Sequence, residues 1–198
     1  MFYVFIIIAY LLGSISMSII QGKLAGVDIK KEGSRLFIVG KTKDEMGASL
    51  FFRKFGGKGG DVPGVDADNL KNLMDKMLKA SDKMLIRSCH DCSDGGLAVA
   101  AAEMCISGDI GAKLDLSRMG DLSAERNLFS ESNTRWIAEV EETAVAEFEK
   151  IMGPDAICIG RTGGDRFTVK GTGIDISVKE IRKAWNDPIW NLMGGAAE

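Results

Sequence analysis

Residues 85–104 read LIRSCHDCSDGGLAVAAAEM, and the order of residue types in this stretch decides the fold. Met84–Ser88 predicts a short strand leading into CHDCSDGG, a loop joins strand to helix, and Leu97, Ala101, Met104 and Cys105 mark one face of a helix ending near Gly108. A strand that turns through paired glycines into a helix is a building unit of α/β domains. Upstream, Leu36–Val39 before Gly40 predicts a buried strand, and Asp44–Lys54 predicts a helix broken by GGKGG at 56–60. Asp66 then caps a helix whose apolar positions Leu70, Leu73, Met74, Met77 and Leu78 follow the i, i+3, i+4, i+7, i+8 rule.

Downstream, GAKLDL (111–116) and RWIAEV (135–140) alternate as strands do, and 141–150 predicts an acidic surface helix. Strands at 156–161 and 166–170 flank TGGD, whose glycines suit a turn with positive φ. Another strand at 174–178 and a helix at 179–185 close the pattern. No repeat or low-complexity tract interrupts it, so 35–198 is expected to be one α/β (α+β) domain built on a single mixed sheet with packed helices.

Charge divides the chain. With 25 Lys and Arg against 28 Asp and Glu among 198 residues, the net charge is −3, which lacks the basic footprint of a nucleic-acid-binding protein. None of those charges falls in residues 1–20, where 16 positions are apolar. FYVFIIIAYLLGSISMSII, residues 2–20, makes about 29 Å of helix, the thickness of a bilayer core. Residues 1–22 therefore read as a transmembrane-like helix, with a plain buried or anchoring helix as the alternative. Residues 23–34 read as a basic loop or junction. Lys23, Lys30 and Lys31 follow the apolar segment and predict a cytoplasmic body anchored through residues 2–20. Small residues at Ser14, Ser18, Gly22 and Gly26 suit close helix packing in lipid.

Several groups carry candidate chemistry. GGKGG lacks the Gly-Lys-Ser/Thr order of a phosphate-binding P-loop and reads as a flexible connection. Cys89 and Cys92 form a C-x-x-C, but four cysteines without secretory context read as reduced thiols, and no metal site has ligand spacing. His90, the only histidine, reads more readily as a packed side chain than as an acid–base catalyst. Asp91, Ser93, Asp94, Gly95 and Gly96 stand at a helix entrance, where they either cap and pack the helix or receive a phosphate or cation. Ser130, Glu131, Ser132 and Asn133, followed by Arg135, read equally as a polar turn or as a grip for hydroxyls or an amide.

Two resemblances emerge from these motifs. AYLLGSISMSIIQGKLAGVDIKKEGS, ending at Ser34, resembles the N-terminal helix and loop of the acyl-phosphate glycerol-3-phosphate acyltransferases, of whose first catalytic motif only Gly33 and Ser34 carry over. From Arg35 the succession LFIVGKTKDEMGAS, GGKGGDVPGVD, LIRSCHDCSDGGLAVAAAEM, LFSESNTRWIAEV and IGRTGGDRFTV resembles the C-terminal domain of the phosphoribosylformylglycinamidine synthases, which is similar to that of aminoimidazole ribonucleotide synthetase. That resemblance implies a ligase of purine biosynthesis, in which ATP phosphorylates the amide oxygen of formylglycinamide ribonucleotide and ammonia then displaces phosphate to give the amidine. It implies ATP and Mg²⁺ as cofactors of the full enzyme, without assuring either for this chain. It implies partners in the remaining synthase domains and a glutaminase subunit. Ser130, Glu131, Ser132 and Asn133 become substrate-binding candidates by analogy, with Asp91, Ser93, Asp94, Gly95 and Gly96 shaping the adjacent helix entrance; no catalytic residue is assigned. Where that family has Gly-Gly-Ser-Glu-Tyr-Tyr, this chain has Gly47-Ala48-Ser49-Leu50-Phe51-Phe52.

Overall fold

The computed structural model describes residue 26 and residues 28–192. The apolar segment 1–22 and the first residues of the basic loop lie outside the described residues. Among the described residues no helix is long and apolar enough to cross a membrane.

In chain order the elements are β1 (Arg35–Val39), α1 (Leu50–Phe55), α2 (Ala67–Asp82), β2 (Ile86–Asp91), α3 (Gly96–Gly108), β3 (Ala112–Leu114), α4 (Ala124–Phe129), β4 (Trp136–Val140), α5 (Val145–Met152), β5 (Ala156–Thr162), β6 (Arg166–Val169), β7 (Ile174–Ser177) and α6 (Val178–Leu192). The strands form one seven-stranded sheet in the order β2-β4-β1-β5-β3-β6-β7. All neighbours are antiparallel except β3 and β6, so the sheet is mixed.

Helices cover both faces, which explains why β1 is an unbroken apolar run. Successive side chains on a strand point to opposite faces, and the core divides accordingly. Leu36 and Ile38 join Leu97, Ala101, Met104, Leu128 and Ile137 beneath α3 and α4. Phe37 and Val39 join Leu73, Met77, Ala138, Val140, Phe148 and Met152 beneath α2 and α5. The rings of Phe37 and Phe148 meet at 5.0 Å. Each such side chain contributes about 1.5–3 kcal/mol by leaving water.

The helix capped by Asp66 forms as expected, with the carboxylate accepting from Asn69 N–H. Other boundaries move for tertiary reasons. The expected helix at Asp44–Lys54 begins only at Leu50, capped by Ser49. Residues 44–49 form a loop because Glu45 and Met46 turn inward, and because Gly47 lies so close to the Gly60–Asp61 backbone that a Cβ would stand 2.6 Å from Gly60 O. The expected strand at Met84–Ser88 starts at Ile86 and runs to Asp91, since Met84 takes a left-handed φ of 57° in the turn leaving α2. The short helix α4 was not foreseen. Between β5 and β6, the Thr162–Asp165 turn does not close a hairpin, because β3 pairs with both strands and separates them.

The chain before β1 is bonded firmly into the body. Ile29 is buried in the α3-side core, and its N–H reaches Met104 O. Glu139, fully buried on β4, accepts from Lys30 N (2.8 Å), Lys31 N (3.1 Å) and Ser88 Oγ (2.7 Å). Gly33 and Ser34 bond to Thr162.

Candidate functional site

The antiparallel registers place the C-terminal ends of β1 and β2 beside the N-terminal ends of β4 and β5. Three connections therefore converge at one end of the sheet: residues 40–49 after β1, 92–95 after β2 and 130–135 before β4. These contain most of the candidate residues, and Glu131 ties them together. Its Oε1 accepts from Gly95 N at 2.9 Å and Leu50 N at 2.8 Å, while its own N–H reaches Glu45 O. Among the described residues Oε2 accepts from none.

The helix entrance is consequently furnished with a carboxylate from the chain itself. Gly95 N–H points at Glu131, and Gly96 N–H closes a turn onto Ser93 O at 2.9 Å. Gly96 has φ +65°, and a Cβ there would stand 2.5 Å from Ser130 O and 2.8 Å from Leu128 O. Only glycine lets α3 start this close to the 128–130 backbone. Asp91 and Asp94 are exposed; Asp91 accepts from Ser93 Oγ at 2.6 Å.

Within the 130–135 loop the four candidates divide by exposure. Ser130 and Ser132 are fully buried, Glu131 is half-buried and Asn133 is exposed. Ser132 Oγ accepts from Lys43 N at 3.0 Å. The loop is held from beneath by Arg135, a buried cation that sequence reasoning noted without assigning a role. Its Nε donates to Ser132 O at 2.9 Å, Nη1 to Thr42 Oγ1 at 2.9 Å and Nη2 to Ser130 O. Burial lowers its pKa, opposed by Cys92, Glu45 and Glu131. Thr134 adopts a left-handed φ of 62°, and its carbonyl lies so close to Gly40 that no side chain fits there.

Glu45 was missed because it sat inside an expected helix. It is almost fully buried; its Oε1 accepts from Gly64 N at 3.2 Å and lies 3.5 Å from Lys43 Nζ. Burial alone would raise its pKa, but the Ser132 hydroxyl, the Gly64 N–H and Lys43 together hold the carboxyl below the usual range.

His90 bridges β2 to α3, with Nε2 2.9 Å from Glu103 Oε2 and Nδ1 donating to Asp91 O at 2.7 Å. Burial lowers its pKa, yet the carboxylate and carbonyl outweigh burial and raise it on balance. The Cys89 and Cys92 thiols are pushed up to about 12 by burial, so neither supplies a thiolate at neutral pH. Among the described residues no cluster of three or more His, Cys, Asp or Glu side chains is placed to hold a metal ion.

Comparison with known proteins follows this geometry. The family model for AIR synthase related protein, C-terminal domain, matches residues 31–171. The phosphoribosylformylglycinamidine synthase subunit PurL of Thermococcus sibiricus is 34% identical over 173 residues, covering 85% of this chain and 24% of that protein. The chain thus spans about a quarter of the length of the curated relatives it matches. T. maritima PurL complexed with FGAR superposes with a TM-score of 0.68 at 18% identity, over 78% of this chain and 29% of that one. The same protein complexed with ATP gives 0.63 at 16% identity, over 78% and 26%. At these identities the structural likeness is one of fold. A family match over well over half of its residues means that the chain belongs to the AIR synthase related proteins, as their C-terminal domain.

Proposed function

We propose that this chain serves as the C-terminal AIR synthase-type domain of a phosphoribosylformylglycinamidine synthase, and that it supports the ATP-dependent conversion of formylglycinamide ribonucleotide to its amidine only with the remaining synthase domains and a glutaminase subunit. The observation that carries this reading is the Glu131 carboxylate joining the 43–50, 95–96 and 130–135 segments into one face, in a chain 34% identical to a synthase subunit.

In this reading the 130–135 loop is a rigid grip. Ser130 and Ser132 face inward and fix its shape, while Asn133 and the free Oε2 of Glu131 meet the substrate with an amide and a hydrogen-bond acceptor. Asp91, Ser93, Asp94, Gly95 and Gly96 shape the adjacent wall rather than receive an anion, since Gly95 N–H is already engaged by Glu131. ATP binding is supported by the solved relative that carries it. The Asp91 and Glu131 carboxylates do not fit a Mg²⁺ seat: Asp91 accepts from Ser93, Glu131 bonds two N–H groups, and among the described residues no third ligand joins them. No step is assigned through the ion in this domain.

The experiment is reconstitution. The full chain alone is expected to give no amidine from formylglycinamide ribonucleotide, ATP, Mg²⁺ and ammonia. The remaining synthase domains supplied in trans are expected to restore turnover, and Glu131→Ala is expected to reduce it by at least tenfold. Turnover by the isolated chain, or no gain on adding the other domains, would overturn the reading.

Membrane anchoring by residues 2–20 and a cytoplasmic body remain part of the proposal on composition alone. The acyltransferase resemblance receives no support from its two carried-over residues, because Gly33 and Ser34 are bonded to Thr162 in the sheet.

A further inference from the structure

Helix α1 turns an apolar face to solvent, and none of its six residues is buried. Phe51 stacks on Phe129 with ring centroids 4.7 Å apart, and the Phe55 ring, one turn further on, lies 4.8 Å from that of Phe51. The three rings form a continuous strip. Phe55 is 73% exposed and Leu50 41%, while Phe51 and Phe129 are half-buried. Aromatic side chains joined in this way outside the core mark an interaction surface rather than scattered exposure.

The charges beside the strip are sorted by sign along the helix. Arg53 and Lys54 occupy the last turn of α1. At the other end the returning chain brings acids, because Gly47 N donates to Asp61 O at 2.8 Å and Gly64 N to Glu45 Oε1 at 3.2 Å. Those two bonds hold Asp61 beside the residues that precede α1, and Asp66 follows two positions after Gly64. All four of these charged side chains are exposed. The local ion pairs join Lys43 to Glu45 and Arg126 to Asp44, and leave Arg53, Lys54, Asp61 and Asp66 without an ion-pair partner among the described residues.

A face with a cationic end, an apolar middle and an anionic end is complementary to itself after a half-turn. Two copies of α1 packed antiparallel bring Phe51 and Phe55 of both together at the centre. The Arg53–Lys54 end of each copy then faces the Asp61–Asp66 end of the other, which is the isologous arrangement of a two-fold dimer. An anionic bilayer or a peptide of one charge sign would match one end and oppose the other.

We propose that the α1 face joins two copies of this chain in a symmetric dimer through an antiparallel α1–α1 contact centred on Phe51 and Phe55. The strip and its rims are small beside the roughly 800 Å² per partner of a standard interface, so the expected Kd is about 10–100 μM. The dimer does not rest on the synthase reading, and its failure would leave that reading to its own test in amidine formation.

Sedimentation velocity on the full chain, over concentrations bracketing that Kd, is expected to show a reversible monomer–dimer equilibrium. Phe55→Asp is expected to weaken it at least tenfold with an unchanged melting temperature, since the ring is exposed. Lys54→Glu and Asp61→Lys are each expected to weaken it at least threefold, because a reversal places like charges together twice across the two-fold axis. Combined in one chain they are expected to restore the Kd to within twofold of the parent. Three results would overturn the proposal: a chain that stays monomeric up to about 1 mM, as it would if another synthase domain were the occupant; a dimer unmoved by Phe55→Asp, as association through residues 2–20 would give; or a doubly reversed variant no tighter than either single one. If Phe55→Asp lost its fold, the charge-reversal series would decide alone.

Discussion

Arg135→Met should destabilise the domain substantially even though it removes a buried charge with no carboxylate bonded to it. The guanidinium makes three hydrogen bonds, to Ser130 O, Ser132 O and Thr42 Oγ1. Bonds from a charged donor stabilise by about 1.5–3 kcal/mol each, or roughly 4–9 kcal/mol together. Against this, methionine avoids the desolvation of a buried cation, which costs several kcal/mol. The Thr42 hydroxyl can turn to another partner, but the two carbonyls cannot, and each buried orphan costs about 1–3 kcal/mol. The expected net loss is about 3 kcal/mol, a large part of the 5–15 kcal/mol typical of a domain. For a domain of this size it corresponds to a fall in Tm of roughly 6–12 °C. Thermal unfolding followed by circular dichroism, with urea midpoints as a check on ΔG, measures it. A variant melting within about 2 °C of the parent would refute the claim that Arg135 holds the 130–135 loop.

Other expectations follow from single contacts. Glu131→Ala releases Gly95 N–H and Leu50 N–H, so hydrogen exchange at both amides should accelerate while the α2 amides stay protected. Gly96→Ala, whose Cβ would strike Ser130 O and Leu128 O, should cost more than about 3 kcal/mol, whereas Gly33→Ala, at φ +82° with open space, should cost only about 1–2 kcal/mol; equal urea midpoints for the two variants would contradict the packing argument. The raised His90 pKa makes the His90–Glu103 contribution full below the unfolded value of about 6.5 and lost as pH rises through the folded one. Glu103→Gln should therefore flatten the pH dependence of stability in that window, and an unchanged slope in urea midpoints would exclude the pair as its source.

Much of the fold was legible in the residues because local signals agreed with it. Leu70, Leu73, Met77 and the Asp66 cap define α2 without help from the rest of the chain, and the unbroken apolar run of β1 already implies a strand covered on both faces. What stayed hidden depended on distant partners. Asp44–Ser49 carries local signals against a helix in Gly47 and the Ser49 cap, but burial of Glu45 and the approach of Gly60 to Gly47 are what hold it as a loop. The position of β3 between β5 and β6 is a pairing across the chain that no local pattern encodes. At the candidate site, the Ser130–Asn133 and Gly95–Gly96 motifs could be named from sequence. That one carboxylate joins them follows only from the register of the sheet.

The strap of residues 29–34 bears on mechanics as well as packing. A tension applied through the N-terminal segment would first load a single bond on the β2 edge, from Cys89 N to Gly26 O, before it met the strap. It would reach Glu139 on β4 through Lys30 and Lys31, then Thr162 on β5 through Gly33 and Ser34, so the load enters interior strands as shear across several hydrogen bonds at once. The strap thus harnesses the domain by interior strands, and a cut at Arg35 would remove it together with the only backbone donors to the buried Glu139 carboxylate among the described residues.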